Sequence, residues 1–528
     1  MSRARPSRSN GVAPGAARDA RDEHRATAAT RRVDTLAALA AGGLGVAGFA
    51  PASVAPVAIL SVAVLFFLAA RASPRRAFAL GFVWGAAHFG AGISWVYVSL
   101  HDFGMMPAPL AAIATLLFCV YLALYPATVA WGMQRVRGPL VLRLLVAAPA
   151  LWVLAEWARL WMLTGFPWLA LGYAQIDTPL AGFAPVAGVL AVSLAAAVIA
   201  GALALAASRT AGAALVAGAV IVVLLAAGFV LGRIEWTAAS GPPVTVALLQ
   251  GNIPQDLKFD PERFGRTLDT YARLAEGTNA RLVVLPETAI PRFLDAVDRG
   301  HLERLVGAAR ARGADLLVGA PTRDENGRYY NSIVSLGASP SQTYSKSHLV
   351  PFGEFIPPGF RWVLAILKIP LSDFSRGDPG QRPLAVAGER VAPNVCYEDV
   401  FGEEIIRMLP EATLLVNASN VAWFGDSLAP AQHLEISRMR ALETGRTMLR
   451  ATNTGVTAIV DHRGGIVARL PGFTLGVLEG EAQGREGATP YVRMGNAPVL
   501  ALAAALLAFA VVLVRWRSTS GGVGRGAQ

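Results

Sequence analysis

Three residues whose types suit acyl transfer stand at the ends of short apolar runs. Glu287 follows Leu282-Val-Val-Leu-Pro286, Lys346 follows Tyr344-Ser345, and Cys396 follows Val391-Ala-Pro-Asn-Val395. A thiol at its ordinary pKa is only slightly ionised near neutral pH and needs help to attack. A carboxylate within hydrogen-bond reach takes its proton. An ammonium nearby stabilises the thiolate and then the oxyanion of a tetrahedral intermediate. Glutamate, lysine and cysteine therefore form a chemically complete set without histidine, metal or cofactor. The chain has no CxxC pair, no HExxH, no GxSxG and no Walker loop, so neither metal nor cofactor is expected. Each residue also has a plainer reading: an inert buried thiol, a strand-end carboxylate, a solvated charge. For Cys396 the count argues against it. Only two cysteines exist, and Cys119 lies in an apolar stretch where pairing with Cys396 is not expected.

The elements that must position these residues begin at Val244, where the texture changes. The periodicity predicts strands at 244–250, 281–286, 315–319, 332–336, 391–396, 413–417 and 455–461. It predicts helices at about 261–276, 302–312 and 430–444. Strands and helices alternate, as in a layered α/β domain, and sites in such folds gather at the carboxyl ends of strands. This domain is expected over 234–494, long enough to bury a full core.

The sequence before it is different. Hydrophobic residues make up 54% of the 528, charged ones 16%, and mean hydropathy is +0.46. Such apolarity exceeds that of an ordinary soluble chain. Apolar segments near 35–50, 55–71, 77–98, 107–133, 140–160, 182–207, 212–232 and 497–514 predict about eight membrane spans. The expected order is a disordered basic cytoplasmic tail over 1–32, a bundle of about seven helices over 33–233, the α/β domain, a span over 495–516 and a cytoplasmic tail over 517–528. The net charge of +11 does not point to nucleic acid, because much of the arginine sits in the tail and in short loops. Arg71, Arg75 and Arg76, then Arg135, Arg137 and Arg143, then Arg209, then Arg515, Arg517 and Arg525 occupy alternate connections. That alternation is the positive-inside pattern and puts the α/β domain outside the cytoplasm. Glu156 and Arg159, among tryptophans before Thr164-Gly-Phe-Pro-Trp168, are either an i,i+3 pair in an aromatic belt or a functional intramembrane site.

Together these residues resemble known motifs. Leu285-Pro-Glu287-Thr, Lys346 with His348-Leu-Val-Pro-Phe-Gly-Glu354, and Asn394-Val-Cys396-Tyr-Glu398 resemble the Glu, Lys and Cys motifs of the nitrilase superfamily. With spans on both sides, the chain resembles the apolipoprotein N-acyltransferases. Gln250-Gly-Asn-Ile-Pro254, Ser419-Asn-Val-Ala-Trp423-Phe-Gly-Asp426, Arg438-Met-Arg-Ala-Leu-Glu443, Arg450-Ala-Thr-Asn-Thr-Gly455 and Thr489-Pro-Tyr-Val-Arg493 support the resemblance. It implies a polytopic α-helical membrane bundle joined to a nitrilase-like αββα sandwich. It implies a Glu287–Lys346–Cys396 triad that moves an acyl chain from a phospholipid, through a cysteine thioester, to the α-amino group of a diacylglyceryl-cysteine on a lipoprotein. It places the enzyme in the bacterial inner membrane with the catalytic domain on the periplasmic face. Glu354 and Glu398 are expected to support the site, and Tyr397, Trp423 and Phe424 are either its walls or core. A membrane-tethered nitrilase-type amidase is the alternative. Val421 and Phe259 depart from the pattern, which has Asp and Trp there. The apolar run 360–371, after Pro357-Pro-Gly359, is too short to span and is expected as an interfacial arm or a core helix.

Overall fold

The computed structural model describes residues 14–357, 359 and 373–520. Helix α1 (Pro14–Leu44) begins inside the tail expected to be disordered. Its alanines and arginines are good helix formers, which composition arguments about disorder undervalue. Helices α2 (Ala55–Ala70) and α3 (Pro74–Gly92) follow, and α3 bends by 51° into α4 (Trp95–Val98) and a π-helical turn to Phe103. Then come α5 (Ala108–Arg135), α6 (Leu140–Leu142) and α7 (Ala148–Arg159), α8 (Ala184–Ala207) and α9 (Ala213–Leu231). All eight apolar segments of the sequence are helical. Among the described residues, five helices are long and apolar enough to cross a membrane, or six counting the bent pair. The difference lies in α2, which has 16 residues, and in the apolar end of α1.

Close approach of α3 and α5 depends on small residues, as in many membrane helix pairs. A Cβ on Gly81 would lie 2.6 Å from the Pro126 carbonyl oxygen, and one on Gly85 would lie 2.8 Å from Ala123 Cα. Glu156 and Arg159 are both buried, 3.9 Å apart. Glu156 Oε1 accepts from Trp152 Nε1 and the Leu171 N–H, each at 2.8 Å, while Arg159 donates to the Trp168 carbonyl at 2.8 Å. The pair thus holds the loop after α7 in place.

Two six-stranded sheets form the centre of the second half. After the short β1 (Ala238–Ala239), one sheet holds β2 (Val244–Gln250), β3 (Leu282–Val284), β4 (Asp315–Arg323), β5 (Tyr329–Gly337) and β6 (Thr343–Ser345). The other runs through β7 (Leu384–Val386), β8 (Glu389–Val395), β9 (Leu414–Ser419), β10 (Thr447–Thr452), β11 (Thr457–Val460) and β12 (Ile466–Leu470) in that spatial order. β13 (Gly476–Ala482) returns to pair with β2, and β14 (Arg485–Glu486) pairs with β1. The central pairs β2–β3–β4 and β8–β9–β10 are parallel. Strands buried on both faces read as continuous apolar runs, which is why β2, β3, β4, β8 and β9 were visible in the sequence.

Strand alternation sorts the residues into layers. Val246, Leu248, Val284 and Leu317 meet Val391, Val395, Leu414, Val416 and Leu449 between the sheets. Ala247, Leu249, Val283 and Leu316 face outward onto α10 (Phe264–Glu276) and α11 (Arg299–Ala311). The far sheet is covered by α12 (Gly402–Ile405) and α13 (Ala429–Thr444). This is the expected αββα sandwich. Strand β11 lies within the run expected at 455–461, whereas β7, β10, β12 and β13 were not anticipated; in β10 the charged Arg450 interrupts the apolar pattern.

Helix α13 also faces the bundle. Trp95 Nε1 and Trp168 Nε1 both donate to Gln432 Oε1, at 3.2 and 2.8 Å. Glu435 accepts the Ala50 N–H, Arg438 pairs with Asp177, and Glu443 accepts the Val189 N–H at 2.6 Å. The last contact caps a break in α8, where Ala187 and Gly188 leave helical geometry. Gly188 has φ +74°, and a Cβ there would strike the Tyr491 ring of α14 (Pro490–Met494). Helix α15 (Ala497–Ser520) then packs its apolar side against α7 and α8.

Candidate active site

Glu287, Lys346 and Cys396 all lie at strand ends facing one buried centre. Glu287 comes three residues after the β3–β4 register ends, Lys346 directly after β6, and Cys396 directly after β8. Cys396 has φ +53°, a left-handed conformation that a non-glycine residue adopts only where its surroundings demand it. The turn is held from both sides. The Val395 N–H donates to Glu398 Oε2 at 2.7 Å, and Asn417 Nδ2 donates to the Cys396 carbonyl at 3.1 Å.

Lys346 is 1% exposed, Glu287 7% and Cys396 8%, so the charges interact with little solvent screening. Lys346 Nζ lies 2.8 Å from Glu354 Oε2 and 3.6 Å from Glu287 Oε1. Asn331 Nδ2 donates to both Glu287 Oε1 and Glu354 Oε1 at 2.7 Å, and the Asn420 N–H donates to Glu287 Oε2 at 2.8 Å. Burial alone would raise the Glu287 carboxyl. The Lys346 and Lys258 charges, with the Asn331 and Asn420 hydrogen bonds, hold it below the ordinary range instead. Burial also works against the Lys346 ammonium, but Glu354 and Glu287 hold it well above its usual value. Burial pushes the Cys396 thiol well up, and the neighbouring Glu287 charge adds to this. At rest the centre is an ionised Glu–Lys pair beside a neutral thiol.

The other anticipated residues divide by role. Glu398 accepts from Tyr344 Oη, the Ser347 and His348 N–H groups and the Val395 N–H, so one side chain ties the Cys396 turn to the chain after Lys346. Glu354 holds Lys346 and accepts the Val350 N–H at 2.8 Å. Tyr397, Trp423 and Phe424 point toward the bundle. Tyr397 Oη donates to the Gly165 carbonyl at 2.8 Å, Phe424 packs on Trp95, and Trp423 meets Phe103. They line the seam where the two halves meet. Val421 is buried and would touch any Cβ added at Gly455, so an apolar residue fits that position. The arm expected at 360–371 lies outside the described residues. Its flanks are anchored at the centre: the Phe374 N–H donates to the Glu354 carbonyl and the Gly377 N–H to the Lys346 carbonyl.

Sequence reasoning missed four groups here. Asn331 and Asn420 orient Glu287, Lys258 donates from Nζ to the Glu287 carbonyl at 3.0 Å, and a buried polar layer underlies Cys396. In that layer Asp399 accepts from His433 at 2.6 Å, and Arg450 lies 3.3 Å from Asp399 and donates to Asn417 at 2.6 Å. Arg450 in an otherwise apolar strand and a histidine inside α13 were available signals.

An apolar helical half joined to a sandwich with this centre defines a membrane-associated acyltransferase built on the carbon–nitrogen hydrolase fold. Residues 245–491 match the carbon-nitrogen hydrolase family, and residues 41–202 match the apolipoprotein N-acyltransferase N-terminal domain. The apolipoprotein N-acyltransferase of Nitrosomonas europaea is 50% identical over 442 residues, covering 82% of this chain and 88% of that protein. That of Chromobacterium violaceum is 48% identical, covering 84% and 87%. That of Methylococcus capsulatus is 45% identical, covering 88% and 93%. The chain belongs to the apolipoprotein N-acyltransferase family.

Proposed function

We propose that this protein transfers an acyl chain from a membrane phospholipid to the α-amino group of a lipoprotein's N-terminal diacylglyceryl-cysteine, with Glu287, Lys346 and Cys396 as its catalytic residues. Glu287 takes the thiol proton as Cys396 Sγ bonds to the ester carbonyl carbon. Lys346 holds the resulting oxyanion. The ester C–O bond breaks, Glu287 protonates the departing lysophospholipid oxygen, and a thioester remains. The acceptor amine then bonds to the same carbon, its proton passes through Glu287 to the leaving thiolate, and the free enzyme returns. The observation that carries this reading is the convergence of three strand ends on one buried Glu–Lys pair beside an unpaired thiol.

The α/β domain, 234–494, lies outside the cytoplasm in this reading, with the apolar helices in a bacterial inner membrane. The arginine alternation supports that orientation. Water as final acceptor, the amidase reading, gains nothing from an apolar helical half or from the relatives matched over most of the chain. The test is the intact mass of the purified protein after incubation with phospholipid in detergent, followed by a synthetic diacylglyceryl peptide. An acyl adduct on Cys396 that disappears as the peptide amine becomes acylated is expected. An unchanged mass, or normal turnover in Cys396→Ala, would overturn the mechanism.

A further inference from the structure

The centre buries more negative charge than Lys346 can match. Lys346 faces two carboxylates, Glu354 at 2.8 Å and Glu287 at 3.6 Å, and it sits nearer the one not assigned to take the proton. Two buried carboxylates against one ammonium leave a net negative charge, which burial penalises strongly. The cheapest relief is for one carboxyl to take up a proton, and a protonated Glu287 is no base. Glu398 also faces Lys346, from the Cys396 turn, so counting it only enlarges the excess. Arg450 reaches Cys396 from below but is matched by Asp399, which also meets His433.

Among the described residues, one further cation lies in this centre. Lys258, in the loop between β2 and α10, is 2% exposed. Its Nζ donates to the main-chain carbonyl of Glu287 at 3.0 Å. Among the described residues it has no carboxylate within salt-bridge distance, and the charges that act on it are those of Glu287 and Cys396. A buried lysine placed on a carbonyl rather than a carboxylate keeps its charge available to the group next to that carbonyl. Burial lowers its ammonium to about 8, still mostly charged at neutral pH. Lys258 sets a second ammonium group against Glu287 and Glu354, and the excess that Glu398 adds is cut by one charge.

We propose that Lys258 is a positioning residue for acyl transfer, whose charge keeps Glu287 ionised while Lys346 is engaged by Glu354. The inference rests on the assignment of Glu287 as the proton acceptor for Cys396. Three substitutions separate charge from contact. Lys258→Gln removes the charge but can still donate to the Glu287 carbonyl. Lys258→Met removes both, and Lys258→Arg keeps both.

The measurement is the pH dependence of two rates on full-length protein in detergent micelles. One is thioester formation with a diacyl phospholipid, followed by intact mass. The other is alkylation of Cys396 by iodoacetamide, which needs no lipid. Loss of a neighbouring unit charge moves a buried carboxyl by about one to three pH units. The acid limb of both rates is therefore expected to rise by about that much in Lys258→Gln and Lys258→Met, and to stay in place in Lys258→Arg. A limb unmoved in Lys258→Gln, or moved equally in Lys258→Arg, overturns the inference. If Lys258→Met does not fold, the Gln and Arg variants decide. Absence of any thioester in the wild type would instead overturn the acyl-transfer reading, and the alkylation limb would still judge Lys258.

Discussion

Replacing Glu354 by Gln changes one atom and should disable a residue it does not touch. Asn331 Nδ2 bridges Glu287 Oε1 and Glu354 Oε1, both at 2.7 Å, and among the described residues Asn331 Oδ1 has no hydrogen-bond partner. In Glu354→Gln the amide must present its oxygen to Lys346 Nζ and the Val350 N–H, which both donate to Glu354 Oε2 in the wild type. Its NH2 then confronts Asn331 Nδ2, donor against donor. If Asn331 turns over to relieve this, its oxygen faces the Glu287 carboxylate and the hydrogen bond to Glu287 is lost. At the same time Lys346 loses its closer carboxylate and shifts toward Glu287, making it a weaker base. A hydrogen bond to a charged group is worth roughly 1.5–3 kcal/mol. At about 1.4 kcal/mol per tenfold, thioester formation should slow roughly 10- to 150-fold. The assay is the rate of acyl-adduct appearance on Cys396 in a single turnover, with the thermal midpoint as a check on folding. A rate within about twofold of wild type, at an unchanged thermal midpoint, would refute the claim that Asn331 couples the two carboxylates.

Lys346→Ala should slow acyl transfer about 100- to 1,000-fold if its ammonium holds the oxyanion, while phospholipid still binds; near wild-type turnover would make it a structural charge only. Glu435 gives a pH-dependent stability prediction. Burial pushes its carboxyl up to about 8, against the Ala50 N–H and the Arg438 charge. An acid raised in the folded state binds more protons folded than unfolded between its unfolded value and 8, so stability is lost as pH rises through that window. Glu435→Gln should therefore raise the thermal midpoint at pH 8–9 relative to wild type and change it little at pH 5; an equal shift at both pH values would contradict this. For orientation, reporter fusions after Arg71 and Arg137 should read cytoplasmic and one near Gly277 external, and a cytoplasmic signal at Gly277 would reverse the assignment.

Glu287 and Cys396 were legible because each ends an apolar run and Lys346 because it follows a short strand, and strand ends are where an α/β sheet exposes reactive side chains. Strands β2, β3, β4, β8 and β9 were legible because burial on both faces leaves long apolar runs, and the apolar helices because of their length and near absence of charge; central β10, interrupted by Arg450, was not. Edge strand β12, largely exposed, carried no such pattern. The register between sheets, the start of α1 inside a basic tail and the bend of α3 into α4 were not written in local sequence either.

What the tertiary structure alone decided is which polar groups meet Glu287. The Asn420 N–H arrives from 133 residues away, Asn331 from 44, and Lys258 from 29 on the other side. Nothing in a short window distinguishes Lys258 from a solvated charge or Asn420 from a turn residue. Their meaning comes from burial, which removes water as an alternative partner and so makes each remaining hydrogen bond and charge count. The residue types at the strand ends thus specified the chemistry. Folding distant segments around them specified the protonation state in which that chemistry begins.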